Sequence, residues 1–136
     1  MLKISKLADY STVIMAHLSM VDIMQSAKTI SVQTSIPYPT VTKLLKILHK
    51  ADLLKSVNGA AGGYGLAIDR RSISLLDIIN AVEGELALTE CSQHSNTCSI
   101  TASCCISHKW QVVNNSIRSA LAKVSLSELA GNIKEQ

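Results

Sequence analysis

The sequence predicts a mainly α-helical fold with one small β-hairpin. Apolar residues make up 47% of the 136 residues, yet there is one Trp, three Tyr and no Phe. The core must therefore be built from Leu, Ile, Val and Ala, which favours helices. Helical apolar spacing recurs along the chain, and a single glycine-rich stretch, NGAAGGYG, lies between two short β-type runs.

Residues 5–22 place Leu7, Tyr10, Ile14 and Leu18 on one helical stripe. Ser26 is suited to cap a short second helix over Ala27–Thr34. The following SIPYP cannot lie inside one helix, because each proline lacks an N–H and clashes with the preceding turn. Pro39 instead fits the first turn of a third helix. There Val41, Leu44, Leu45 and Leu48 follow the i, i+3, i+4, i+7 rule, leaving Thr40, Thr42, Lys43, Lys46 and Lys50 for other faces.

Leu54–Val57 and Tyr64–Ile68 then read as a hairpin with a flexible tip. Helix, turn, helix and hairpin in that order describe a winged helix-turn-helix, whose second helix enters the major groove while the hairpin lies along the backbone. Charge supports a polyanion partner. Residues 1–57 carry seven lysines against three aspartates, whereas residues 58–136 are net negative by one. The expected DNA-facing set is Tyr38, Thr40, Thr42, Lys43, Lys46 and Lys50 on the helix, with Asn58, Gly59, Gly62, Gly63 and Tyr64 on the wing.

A further helix is expected over residues 72–83, a polar loop over 86–104, a long helix over 105–123 and one or two closing turns over 125–130. In the long helix Ile106, Trp110, Val113, Ile117, Leu121 and Val124 approximate a heptad seam, which suits pairing between two subunits; packing on the chain's own core would use the same pattern. The expected organisation is a DNA-binding domain at 1–70, a linker helix and connection at 71–90, a cysteine loop at 91–105, and a dimerisation helix with C-terminal turn at 106–136.

All four cysteines fall within 15 residues: Cys91-x6-Cys98-x5-Cys104, with Cys105 adjacent and His108 just beyond. Clustered cysteines without a secretion signal read as metal ligands or redox thiols, and thiolates suit zinc or iron–sulfur iron. Structural zinc sites use tighter knuckles, so the spacing favours a cluster. No apolar run reaches the about 18–20 residues needed to cross a bilayer, and the N-terminus lacks signal-peptide character, so a cytoplasmic protein is expected. Catalytic chemistry has no support: GAAGGYG lacks the Lys-Ser/Thr of a phosphate-binding loop.

The segments KLADY, PYPTVTKLLKIL, NGAAGGYGLA, ISLLDIINAVEG, LTEC and KWQVVNNSIRSAL together resemble the IscR/SufR-like winged-helix regulators, most closely the repressors of the SUF cluster-assembly operon. The resemblance implies a homodimeric repressor that binds double-stranded operator DNA and senses cluster supply through a 2Fe–2S or 4Fe–4S centre. Cluster-assembly proteins would act as donors, and no membrane is involved. By resemblance, Cys91, Cys98 and Cys104 are ligands and Asp9 ranks first as the fourth, ahead of His108 and Cys105; His94 is read as solvated. Relatives carry Arg before the first wing glycine and often a basic residue in the tip. This chain has Asn58 and Ala61 there, which shifts the expected affinity toward Lys43, Lys46 and the glycine-tip amides.

Overall fold

Side-chain caps set where the first helices begin. Ser5 accepts the Ala8 N–H at 3.1 Å and opens α1, Lys6–Ser19; Ser26 accepts the Thr29 N–H at 3.2 Å and opens α2, Ala27–Thr34. The computed structural model describes residues 3–89, 92, 98–100 and 102–134. α2 ends at Ser35, which takes a left-handed conformation (φ 61°) and turns the chain sharply. The Ser31 hydroxyl donates across this turn to the Ile36 carbonyl at 2.6 Å, and α3 follows at Tyr38–Lys50. Strands β1, Leu54–Val57, and β2, Gly63–Leu66, form an antiparallel hairpin pairing Leu54 with Leu66 and Val57 with Gly63. The second strand is thus shorter than the Tyr64–Ile68 expected. Ala67 turns its N–H to the Leu53 carbonyl, and the chain then enters a 3-10 turn at Arg70–Ser72.

The expected 72–83 helix begins later, as α4, Leu75–Glu83. Ser74 and Asp77 form a reciprocal capping box that fixes its first residue, and Ile73 becomes extended and buried instead. α5 spans Ser107–Ala122. The closing segment is longer than expected: α6 runs from Leu126 to Lys134.

The core is aliphatic. Ile14 and Met15 of α1, Ile30 of α2, and Val41, Leu44, Leu45 and Leu48 of α3 are fully buried, together with Ile73, Ile78 and Leu126. The α3 face expected inside is inside. The C-terminal helix joins the same core: α6 packs on α1 and the 3-10 turn, and Ser74 and Ser125 pair as an antiparallel bridge. The Leu75 N–H meets the Val124 carbonyl at 2.9 Å and the Leu126 N–H meets the Ile73 carbonyl at 2.8 Å. The described part of segment 106–136 therefore holds both α5, mostly exposed and packed on α4, and α6, which joins the core through Leu126. Along α5 the apolar seam changes character. Ile106, Trp110 and Val113 are exposed, whereas Ile117, Leu121 and Val124 are half-buried.

Candidate nucleic-acid interface and candidate metal centre

Burial of four aliphatic residues on one side of α3 turns the opposite side outward. Pro39, Lys43, Lys46 and Lys50 are exposed, Thr40 and Thr42 are partly so, and Tyr38 is 52% exposed at the first position of the helix. The Thr42 hydroxyl donates back to the Pro39 carbonyl at 2.9 Å. Three lysine ammonium groups at i, i+3 and i+7 make this a cationic helix face.

The hairpin stands beside that face and is held on two sides. Gln25, in the connection from α1 to α2, pairs with Tyr64 through both backbone bonds: its N–H meets the Tyr64 carbonyl at 3.0 Å, and the Tyr64 N–H meets its carbonyl at 2.7 Å. The buried Gln25 side chain contacts His17 of α1, Oε1 to Nε2, at 2.8 Å. On the other side Tyr64 packs edge-on against His49 near the end of α3, with ring centroids 6.5 Å apart. Tyr64 is half-buried at the base of the wing and packed on the core.

Two wing glycines have packing reasons of their own. A side chain at Gly62 would collide with the Val57 carbonyl, and one at Gly63 (φ 143°) with the Gln25 carbonyl. Asn58, Gly59, Ala60 and Ala61 form the exposed tip, closed by the Gly62 N–H on the Gly59 carbonyl at 3.1 Å.

The proposed metal ligands are placed less completely. Cys91 and His94 lie outside the described residues. Cys98 and Cys104 are half-buried, while Cys105, next in sequence, is exposed. Asp9 is exposed in the first turn of α1 and His108 is exposed in the first turn of α5. Among the described residues, no three His, Cys, Asp or Glu side chains converge, so neither Asp9 nor His108 joins Cys98 and Cys104 in one group. Thiolates are soft donors that suit a thiophilic metal or an iron–sulfur cluster, and of the three expected cysteine ligands Cys98 and Cys104 lie among the described residues.

Two residues absent from the sequence-based set position the chain leading to Cys91. Asn114 on α5 is 3% exposed, and its Oδ1 accepts the Leu88 N–H at 3.0 Å. Arg118, one turn on, donates to the Leu86 carbonyl at 3.1 Å. Asn114 follows Val112 and Val113 but precedes Asn115 and Ser116, so no local pattern set it apart. Gln25 and His17 likewise carried no signal, because their pairing needs the fold.

A three-helix core with a hairpin clamped against its third helix defines a winged helix-turn-helix regulator. Residues 4–132 match the Rrf2 family, described as an iron-dependent transcriptional regulator. The chain is 30% identical over 118 residues to a putative HTH-type transcriptional regulator, NMA1593, of Neisseria meningitidis, covering 82% of this chain and 79% of the relative. The structure of T. potens IscR is similar with a TM-score of 0.74 at 32% identity, covering 98% of this chain and 90% of that one. That of CymR, the global cysteine regulator of B. subtilis, is similar with a TM-score of 0.76 at 26% identity, covering 97% and 98%. The chain belongs to the Rrf2 family of transcriptional regulators. These relatives and structural neighbours are transcriptional regulators, not enzymes.

Proposed function

We propose that this protein is an iron–sulfur-cluster-sensing repressor that binds operator DNA as a homodimer, with cluster-assembly genes of the SUF type as its targets. The single observation that carries the reading is the sequence spacing Cys91-x6-Cys98-x5-Cys104, which falls between the winged helix-turn-helix elements and α5 with its exposed Ile106, Trp110 and Val113. The family's iron dependence and the likeness to IscR support it. DNA is met by Tyr38, Thr40, Thr42, Lys43, Lys46 and Lys50 and by the tip, with Lys46 and Lys50 on phosphates. Gly62, Gly63 and Tyr64 shape and anchor the wing that carries the tip. Exposed Ile106, Trp110 and Val113 supply the subunit seam. Cys91, Cys98 and Cys104 hold the cluster, and Asp9, reaching from the partner's α1, supplies the fourth ligand in preference to His108. Cluster-assembly proteins as donors follow only from this reading.

A second reading, a zinc- or thiol-redox-dependent regulator with the same fold, is favoured on its thiol side by the likeness to Staphylococcus aureus CymR, whose structure is known in an oxidized form. Anaerobic purification separates the two. Visible sulfur-to-iron absorbance with iron and sulfide in the protein supports the cluster; colourless protein containing zinc or only free thiols supports the alternative. Under the first reading Cys91→Ala, Cys98→Ala and Cys104→Ala each lose iron and sulfide, and Cys105→Ala keeps them. Asp9→Ala and His108→Ala then identify the fourth ligand.

A further inference from the structure

The two threonines flanking Val41 on α3 are chemically different. The Thr42 hydroxyl donates its only proton to the Pro39 carbonyl, one turn back on the same helix, at 2.9 Å. With that proton committed, Thr42 offers a partner its methyl and no hydroxyl donor. The Thr40 hydroxyl makes no hydrogen bond among the described residues, so its donor and acceptors stay available. Pro39, three residues before Thr42, is exposed, and its ring carbons lie on the same side of the helix. An apolar spot thus sits on a face that also carries Tyr38 and the lysine ammonium groups.

We infer that Thr42, backed by Pro39, is a specificity-determining residue that reads a thymine C5-methyl group through its own methyl. The inference rests on the DNA-binding reading above and deepens it. In the major groove the thymine methyl is the one apolar mark among the four base pairs, and an apolar side-chain group is what recognises it. A hydroxyl whose proton is committed to the helix cannot donate to a base acceptor such as guanine O6 or N7. Thr40, by contrast, contacts DNA through its hydroxyl.

The test uses the full chain, purified anaerobically, and duplexes enriched by the wild-type protein from a random-sequence library. Thr42→Val keeps the methyl and the shape, and should bind the enriched duplex within about twofold of wild type. Thr42→Ser removes the methyl and should bind about tenfold more weakly. Replacing thymidine by deoxyuridine one position at a time removes single C5-methyls. One position per half-site should weaken wild type and Thr42→Val alike and leave Thr42→Ser indifferent. The inference is overturned if no deoxyuridine position weakens the wild type, if Thr42→Ser stays as sensitive as wild type, or if Thr42→Val loses the sequence preference. These outcomes leave DNA binding itself intact. Failure of the wild type to enrich any duplex would remove the DNA-binding reading and this inference with it.

Discussion

Gln25 and Tyr64 exchange both backbone hydrogen bonds, at 3.0 and 2.7 Å, which adds a third strand-like segment to the two-stranded wing. An isolated two-stranded hairpin is marginal in water. Here its base is tied through Gln25 to α1, by way of His17, and through the Tyr64 ring to His49 of α3. The base of the wing is therefore tied to both α1 and α3.

Gly63 makes that pairing possible, since a Cβ would strike the Gln25 carbonyl and the residue sits at φ 143°. Gly63→Ala should cost about 1–3 kcal/mol from backbone strain and separation of the pair. Urea denaturation measures the loss, and hydrogen exchange at the Tyr64 amide should rise more than at α4 amides. Unchanged exchange there would disconnect the glycine from the pairing.

Ser11 lies on α1 with its side chain fully buried and its Oγ without a hydrogen-bond partner among the described residues. Such a group carries a desolvation cost with nothing to offset it. Ser11→Ala should raise stability by about 1 kcal/mol, also gaining helix propensity. A fall in the urea midpoint at constant m-value would contradict this.

Asn114 should behave oppositely. Its amide oxygen holds the Leu88 N–H at 3.0 Å, and Asn114→Ala would leave that buried-side donor unpaired, costing about 1–3 kcal/mol. Because the residues it holds lead into Cys91, the proposed cluster should also be lost faster on exposure to air. Cluster decay followed by visible absorbance, beside a thermal melt, tests both halves.

Subunit pairing is best probed where the monomer is indifferent. Ile117 is half-buried and lines, with Ile79 and Leu121, an apolar cleft of about 370 Å³ beside the N-terminus of α1, so its substitution mixes folding with association. Trp110 is 40% exposed and Val113 44% exposed. Trp110→Asp should leave the fold intact by circular dichroism and yield monomers by sedimentation, because a buried charge at a seam is strongly unfavourable. A dimeric Trp110→Asp protein would place the interface elsewhere.

Lys46 offers a test of the DNA face independent of sequence preference. Lys46→Ala should weaken binding to every duplex and reduce the salt dependence by about one ion. An unaltered salt slope would remove Lys46 from the phosphate contacts.

Local chemistry by itself determined most of the helical frame. Periodic aliphatic residues marked the buried face of α3, Ser26 marked the start of α2, the SIPYP prolines marked the break before α3, and the glycines marked the hairpin. Each is a signal carried within one or two helical turns, which is why it is legible in one dimension. What only the tertiary structure decided is everything that joins distant segments. Gln25 meets Tyr64 across 39 residues of chain, Asn114 holds Leu88, Ser74 bridges Ser125, and α6 returns to complete the first unit's core. These contacts satisfy backbone and amide groups whose partners no local pattern specifies. The α5 seam shows the same division. Its spacing announced an apolar face, but only packing divided that face into a half-buried end at Ile117, Leu121 and Val124 and an exposed end at Ile106, Trp110 and Val113.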